Sequence, residues 1–221
     1  MITIPLLNFV GLPIDVANAT NRIAIFLQNI VATYRFWRKG KLDLRRVFPI
    51  VLASSLGAVV GAMVVLSVDR LLLKRIMGFV FLILLAVMMK KPDISTAGPG
   101  HRRLHPVVSF VLFFLIGVYG GFIQAGVGFL FVYALVLGEG MDIVRANGVK
   151  VFAVLIYTAI ALMVFSAHGL LSPVPGLVLA AGNMMGAYIA TAFATRTDTR
   201  VVKWVFAVMV VAVSVVYILG L

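Results

Sequence analysis

The sequence predicts an all-α, polytopic integral membrane protein made of two homologous helical repeats with a glycine-broken helix. Three observations predict it. The chain is 63% hydrophobic and only 12% charged over 221 residues, with a mean hydropathy of +1.15, far more apolar than a soluble domain of this length. Its apolar residues come in repeated long runs of bilayer length. The second half of the chain restates the first.

A helix crosses about 30 Å of hydrocarbon with about 20 mainly apolar residues. Runs of that kind predict about seven spans, near 16–36, 46–67, 71–90, 106–123, 146–166, 174–193 and 201–220. Two shorter apolar pieces, near 2–12 and 126–138, are too short for an untilted crossing and are expected as half-helices. Strands of a membrane barrel need alternating segments of about ten residues, and none is present. Between Pro106 and Gly138 no residue is charged, and the middle of that run reads GVYGGFIQAGVG, with glycine at Gly117, Gly120, Gly121, Gly126 and Gly128. Glycine in a membrane helix permits close packing or a break. The 120–128 stretch carries Gln124 and is too dense in glycine for one contact face, so a break is expected there. Free amides and the positive end of a half-helix would then face the membrane interior, where an anion is stabilised.

Nineteen Lys and Arg against seven Asp and Glu give a net charge of +12, a balance that in a soluble chain points to nucleic acid. Here the cations lie in loops, densest in RFWRKGKLDLRR at 35–46, which reads as a cytoplasmic loop. If 106–138 crosses once, ten loop cations fall inside and seven outside; if the segment returns, only Arg70, Lys74 and Arg75 fall outside. The charge bias favours the second, inverted arrangement. With no cysteine the chain has no disulfide and no thiolate metal site, and Met1 leads into ITIPLLNF with no basic signal-peptide region.

Self-similarity is ordered along the chain. DVANATNRIAIFLQNIVATY (15–34) matches DIVRANGVKVFAVLIYTAIA (142–161), GAVVGA (57–62) matches GNMMGA (182–187), and DRLLLKRIMGFVF (69–81) matches DTRVVKWVFAVMV (198–210), all at offsets between 125 and 129. The expected organisation is one membrane domain of two repeats, 1–95 and 96–221. The counterpart of the glycine segment for the first repeat would fall before Met1, so the first repeat is expected to lack its leading helix.

A glycine-rich broken helix, a half-helix, a small-polar helix start, a basic loop and a GxxxG helix, in that order and largely repeated, resemble the sulfite exporter TauE/SafE family of bacterial and plant membrane proteins. The resemblance covers the chain apart from the leading helix, and Val127 departs from the family's glycine pattern. It implies a multi-pass transporter of the bacterial inner membrane that exports small anions such as sulfite, sulfonates or other sulfur-containing or organic anions. The alternative is a non-transporting or truncated subunit of the same fold. The partners implied are a small anionic substrate and the lipid bilayer, with a homo-oligomer left open, no nucleic acid and no cofactor.

The candidate substrate-binding residues start from two cations inside spans. Arg22 and Lys150 are repeat-equivalent at an offset of 128 and follow the small polar stretches NATN and ANG, which include Asn21 and Asn147. An intramembrane charge faces a polar interior or reaches the headgroups; the first option would make the pair the frame of an anion pathway, as in transporters built from repeats. Asn29 lies seven residues past Arg22, and Tyr157 seven past Lys150, where they would bond an oxyanion or a neighbouring helix. Gly120, Gly121, Gln124, Gly126 and Gly128 complete the set. Gly57/Gly61 and Gly182/Gly186 read as helix-packing pairs. His101 and His105 have metal-ligand spacing with no carboxylate near, Asn18-Ala-Thr20 is a sequon at a span start, and Asp15 and Asp142 read as helix caps. No HExxH, cysteine or convincing serine–histidine pairing supports an enzyme.

Overall fold

The structure is a computed structural model, and it describes residues 2–40, 44–89, 104–193 and 199–220. Among these residues there is no strand. The order is α1 (Thr3–Phe9), α2 (Ile14–Arg38), α3 (Leu44–Ser67), α4 (Arg70–Met89), α5 (Pro106–Phe122), α6 (Val127–Tyr133), a π-helical segment (Ala134–Gly138), α7 (Ile143–Ala167), α8 (Pro173–Phe193) and α9 (Thr199–Leu219). Every run expected to be a span is one helix, and both expected half-helices are short. Val47–Ser67 and Ile143–Ala167 are, among the described residues, the helical stretches long and apolar enough to cross a bilayer without help. His101 and the basic stretches at 90–103 and 194–198 lie outside the described residues.

Local chemistry sets the helix ends. Asp142 caps α7 by accepting hydrogen bonds from the amides of Val144 and Arg145. Gly169, at φ +68, follows the last turn, where the His168 amide returns to Phe165 O and the Gly169 amide to Ser166 O. At the start of α5, Pro106 needs no donor and the His105 ring accepts from Val107. Asp69 does the same for Leu71 and Leu72 of α4. Asp15 instead pairs with Arg70 across helices at 3.0 Å, so only one of the two acids expected to cap does so in the described contacts.

The chain divides into two compact units. The first comprises Met1–Ala24, Val68–Pro92 and Leu170–Leu221, and the second Ile25–Ser67 and Asp93–Gly169. In the first unit α4 and α9 run antiparallel: a Cβ at Gly78 would meet Ser214 O at 2.9 Å, one at Gly220 would meet Leu71, and the rings of Phe81 and Tyr217 lie 6.4 Å apart. The start of α8 lies on α2, with the Ser172 amide donating to Thr20 Oγ1 at 3.1 Å. That bond and the complete burial of Asn18 place the sequon inside the protein.

In the second unit α3 and α5 cross backbone to backbone. A Cβ on Gly57 would stand 2.1 Å from Phe114 O and one on Gly61 2.0 Å from Val118 O; reciprocally, Gly117 faces Ser54 O and Gly121 faces Ala58 O, each at 2.2 Å. Residue numbers rise together along both helices, so α3 and α5 are parallel. The expected Gly182/Gly186 packing is not found. Both residues are exposed, and among the described residues nothing lies within 4 Å of a Cβ at either.

After α5 the backbone turns at 123–126 and comes back. The amide of Leu104 donates to Gly138 O at 2.9 Å, the Ser109 hydroxyl donates to the Glu139 carboxylate, and the rings of Phe113 and Phe131 lie 5.8 Å apart. Residues 106–138 therefore form a hairpin whose two ends are together. The tip is buried, with Ile123 at 0% and Gln124 at 4% exposure, as non-helical backbone at membrane depth requires. Since α7 begins where this hairpin ends, it sets out from the same end of the second unit as α5.

Candidate functional site

The hairpin tip is shaped by backbone the sequence supplies deliberately. Gly126 sits at φ +71, a conformation natural to glycine, and Gln124 at φ +63 is, among the described residues, the non-glycine residue with positive φ. Two side chains hold the turn in place. The Tyr119 hydroxyl donates to the carbonyl of Ala125, and Gln124 Nε2 donates to Thr158 Oγ1 on α7 at 3.0 Å. The other end of the Gln124 amide, Oε1, is buried with no hydrogen-bond partner among the described residues. The turn amides of Ala125, Gly126 and Gly128 find no backbone acceptor among the described residues, as expected where one helix ends and another begins.

Lys150 approaches this tip from α7. A Cβ added to Gly128 would touch Lys150 Cδ at 3.5 Å. Its ammonium donates to Asn147 Oδ1 one turn earlier at 2.8 Å, while Asn147 Nδ2 is fixed on Ile143 O at 2.8 Å. The lysine is half-buried. One of its three donors is committed to Asn147, and the lysine's aliphatic stem lies beside the first turn after the break. Below it, Tyr157 is fully buried, lies flat on Phe131 with centroids 6.1 Å apart, and fills the space that Gly120 leaves, its ring 3.1 Å from where a Cβ would be.

Within the second unit the structure thus sets Gly128 beside Lys150 and its partner Asn147, Gly120 beside Tyr157, and Gln124 and Gly126 in the turn between them in sequence. Gly121 belongs elsewhere, because its missing side chain makes room for Ala58 of α3. Asn29 also lies in the second unit, and its amide is spent on Ile25 O of its own helix at 2.8 Å. Arg22 and Asn21 belong to the first unit. Arg22 is fully buried and engaged by its surroundings, so it does not reach a headgroup; Asn21 is buried beside it in sequence, at 4% exposure. The sequence reading missed Tyr119 and the Ser109–Glu139 tie. A tyrosine six residues before Ala125 carries no periodic signal, and the tie joins residues thirty apart. Among the described residues no group of acids and histidines is placed to hold a metal.

A family model described as sulfite exporter TauE/SafE matches residues 1–217. The chain belongs to that family. Among its curated relatives is the probable membrane transporter protein ORF9 of a Sinorhizobium species, 27% identical over 216 residues that make up 97% of this chain and 82% of the relative. A probable membrane transporter protein of Haemophilus influenzae is 24% identical over 85% of this chain and 73% of its own length. A third, from Xylella fastidiosa, is 25% identical over 90% and 78%. No solved structure matches the chain at a significant level. Membership in this family makes the protein a membrane transporter, and the long apolar helices agree with residence in a bilayer.

Proposed function

We propose that the protein moves a small anion, a sulfur oxyanion or organosulfonate, across the bacterial inner membrane, as a multi-pass exporter that binds its substrate at the hairpin tip of the second unit. The observation that carries the proposal is the half-buried Lys150, whose stem lies against the first turn after the break and whose ammonium is held by Asn147. Little water screens a charge there, so one cation and a few oriented amides act on an anion far more strongly than the loop cations do. The family name supports a sulfur oxyanion. In the same reading residues 1–95 and 96–221 are two inverted repeats. Their support is the shared order of short helix, long helix and two further helices, with seven residues in both α1 and α6 and 25 in both α2 and α7.

The test is sulfite efflux from liposomes or cells, with membrane insertion measured separately. Lys150→Met keeps the length and apolar packing while removing the charge, and transport should fall with expression intact. Arg45→Gln, in the basic 35–46 stretch, should leave transport near the wild-type level. Arg22→Met tests the first unit's buried cation in a separate arm. Full transport by Lys150→Met would remove the hairpin tip as the anion site, and absence of any anion flux in the unaltered protein would favour the scaffold alternative.

A further inference from the structure

The turn of the hairpin carries a buried polar atom that Lys150 does not account for. Gln124 is 4% exposed, and its Oε1 has no hydrogen-bond partner among the described residues. A buried carboxamide oxygen left without a donor costs free energy. The residue is also held at φ +63, a strained conformation for anything but glycine. Two ties keep it there. The Tyr119 hydroxyl donates to the carbonyl of Ala125, and Gln124 Nε2 donates at 3.0 Å to the hydroxyl oxygen of Thr158, itself fully buried on α7. With the donor end of the amide anchored on α7, the end left over is an acceptor. The fold fixes that acceptor inside the second unit against both strain and desolvation.

Its position decides the ligand class. Thr158 lies eight residues past Lys150 on α7, about 12 Å along the axis at 1.5 Å per residue. The Lys150 ammonium is bound to Asn147, a turn further away again. An anion the size of sulfite held by that ammonium does not reach the Gln124 amide, so the two groups do not share one ligand. A second anion is disfavoured as well. Gln124 directly follows the C-terminal end of α5, where the helix dipole is negative, and the Ile123 carbonyl receives no backbone amide among the described residues. An acceptor beside a carbonyl end is completed by a cation. A carboxamide does not take up a proton near neutral pH, which excludes a proton site. Divalent cations draw on carboxylates, and neither 106–138 nor α7 nor α3 contains one. Broken helices of transporters hold monovalent cations at such ends. We propose that the Gln124 carboxamide oxygen, at the end of α5, is a ligand of a bound alkali-metal cation, and that Thr158 is the residue that positions it.

The experiment follows thermal unfolding of the purified full chain in detergent by circular dichroism, with NaCl, KCl and choline chloride at equal ionic strength as the probes. Sodium or potassium should raise the midpoint in a saturable way that choline does not reproduce. Gln124→Gly removes the amide together with the backbone strain, so the variant folds, and its half-saturating cation concentration should rise about tenfold, the worth of one contact to a charged group. Gln124→Glu, to which the Thr158 hydroxyl can itself donate, keeps an oxygen at the site and should retain the response. Lys150→Met should respond to the cations as the unaltered protein does. Equal midpoints in all three salts, or an unchanged response in Gln124→Gly, would overturn the proposal and leave the amide oxygen to a buried water. Loss of the response in Lys150→Met would move the cation effect to the lysine and overturn it too. Stabilisation by sulfite in choline medium that disappears in Gln124→Gly would assign the amide to the anion, with the same consequence. These melts do not require transport, so the cation site and the anion reading fail separately.

Discussion

The α3–α5 crossing makes the sharpest quantitative prediction. Replacing Gly117 and Gly121 by alanine would place each new Cβ 2.2 Å from a backbone carbonyl oxygen of α3, where ordinary contact begins near 3.4 Å. The helices must separate by about 1.2 Å, since a carbonyl in a helix cannot rotate away as a side chain would. Separation on that scale forfeits a large share of the dispersion energy along the seam, and overpacking of this kind costs about 1–3 kcal/mol per site. Alanine returns about 1 kcal/mol per site through its better helix propensity, which partly hides the loss. The control removes this ambiguity. Gly182→Ala with Gly186→Ala gains the same propensity but meets nothing within 4 Å among the described residues. The propensity term cancels between the two double variants, and they should differ by about 2–6 kcal/mol, nearer the lower figure because the paired sites share one interface. Denaturant titration of the purified protein in detergent, followed by helical circular dichroism, reads the difference. If the 117/121 double variant is as stable as the 182/186 variant, the close crossing is not what holds α3 on α5.

Three further outcomes follow from the hairpin. The chain has no cysteine, so single introduced thiols report topology directly: Lys39→Cys and Arg145→Cys should resist an impermeant reagent added outside cells, while Ser67→Cys and His168→Cys should react, and labelling of Arg145 together with Ser67 on one side would refute the returning hairpin. Gly126→Ala, at φ +71, should lower stability by about 1–2 kcal/mol in a thermal melt; Gln124→Gly relieves comparable backbone strain while losing one hydrogen bond of about 1 kcal/mol, and should melt near the unaltered protein. Glu139→Gln weakens the Ser109 tie, so amide exchange should rise together in 104–112 and 134–141 while the α3–α5 seam stays protected.

The length and spacing of apolar runs determined the helices, because a bilayer demands about 20 apolar residues per crossing wherever a helix is placed. The break was legible for a similar reason: glycines at 120, 121, 126 and 128 with an amide between them defeat a continuous helix locally, before any packing is considered. What those glycines do could not be divided by sequence. Gly117 and Gly121 serve a neighbouring helix, Gly120 makes room for Tyr157, and Gly126 supplies a positive φ, distinctions that depend on which atom lies opposite each Cα. The pair GNMMGA reads like GAVVGA, yet only the second meets a partner among the described residues, since packing belongs to two surfaces and a sequence shows one. Charge counting pointed to inverted repeats but could not fix the path of 106–138. The bonds between Leu104 and Gly138 and between Ser109 and Glu139 decided it, because only tertiary contact brings the two ends of one uncharged segment together.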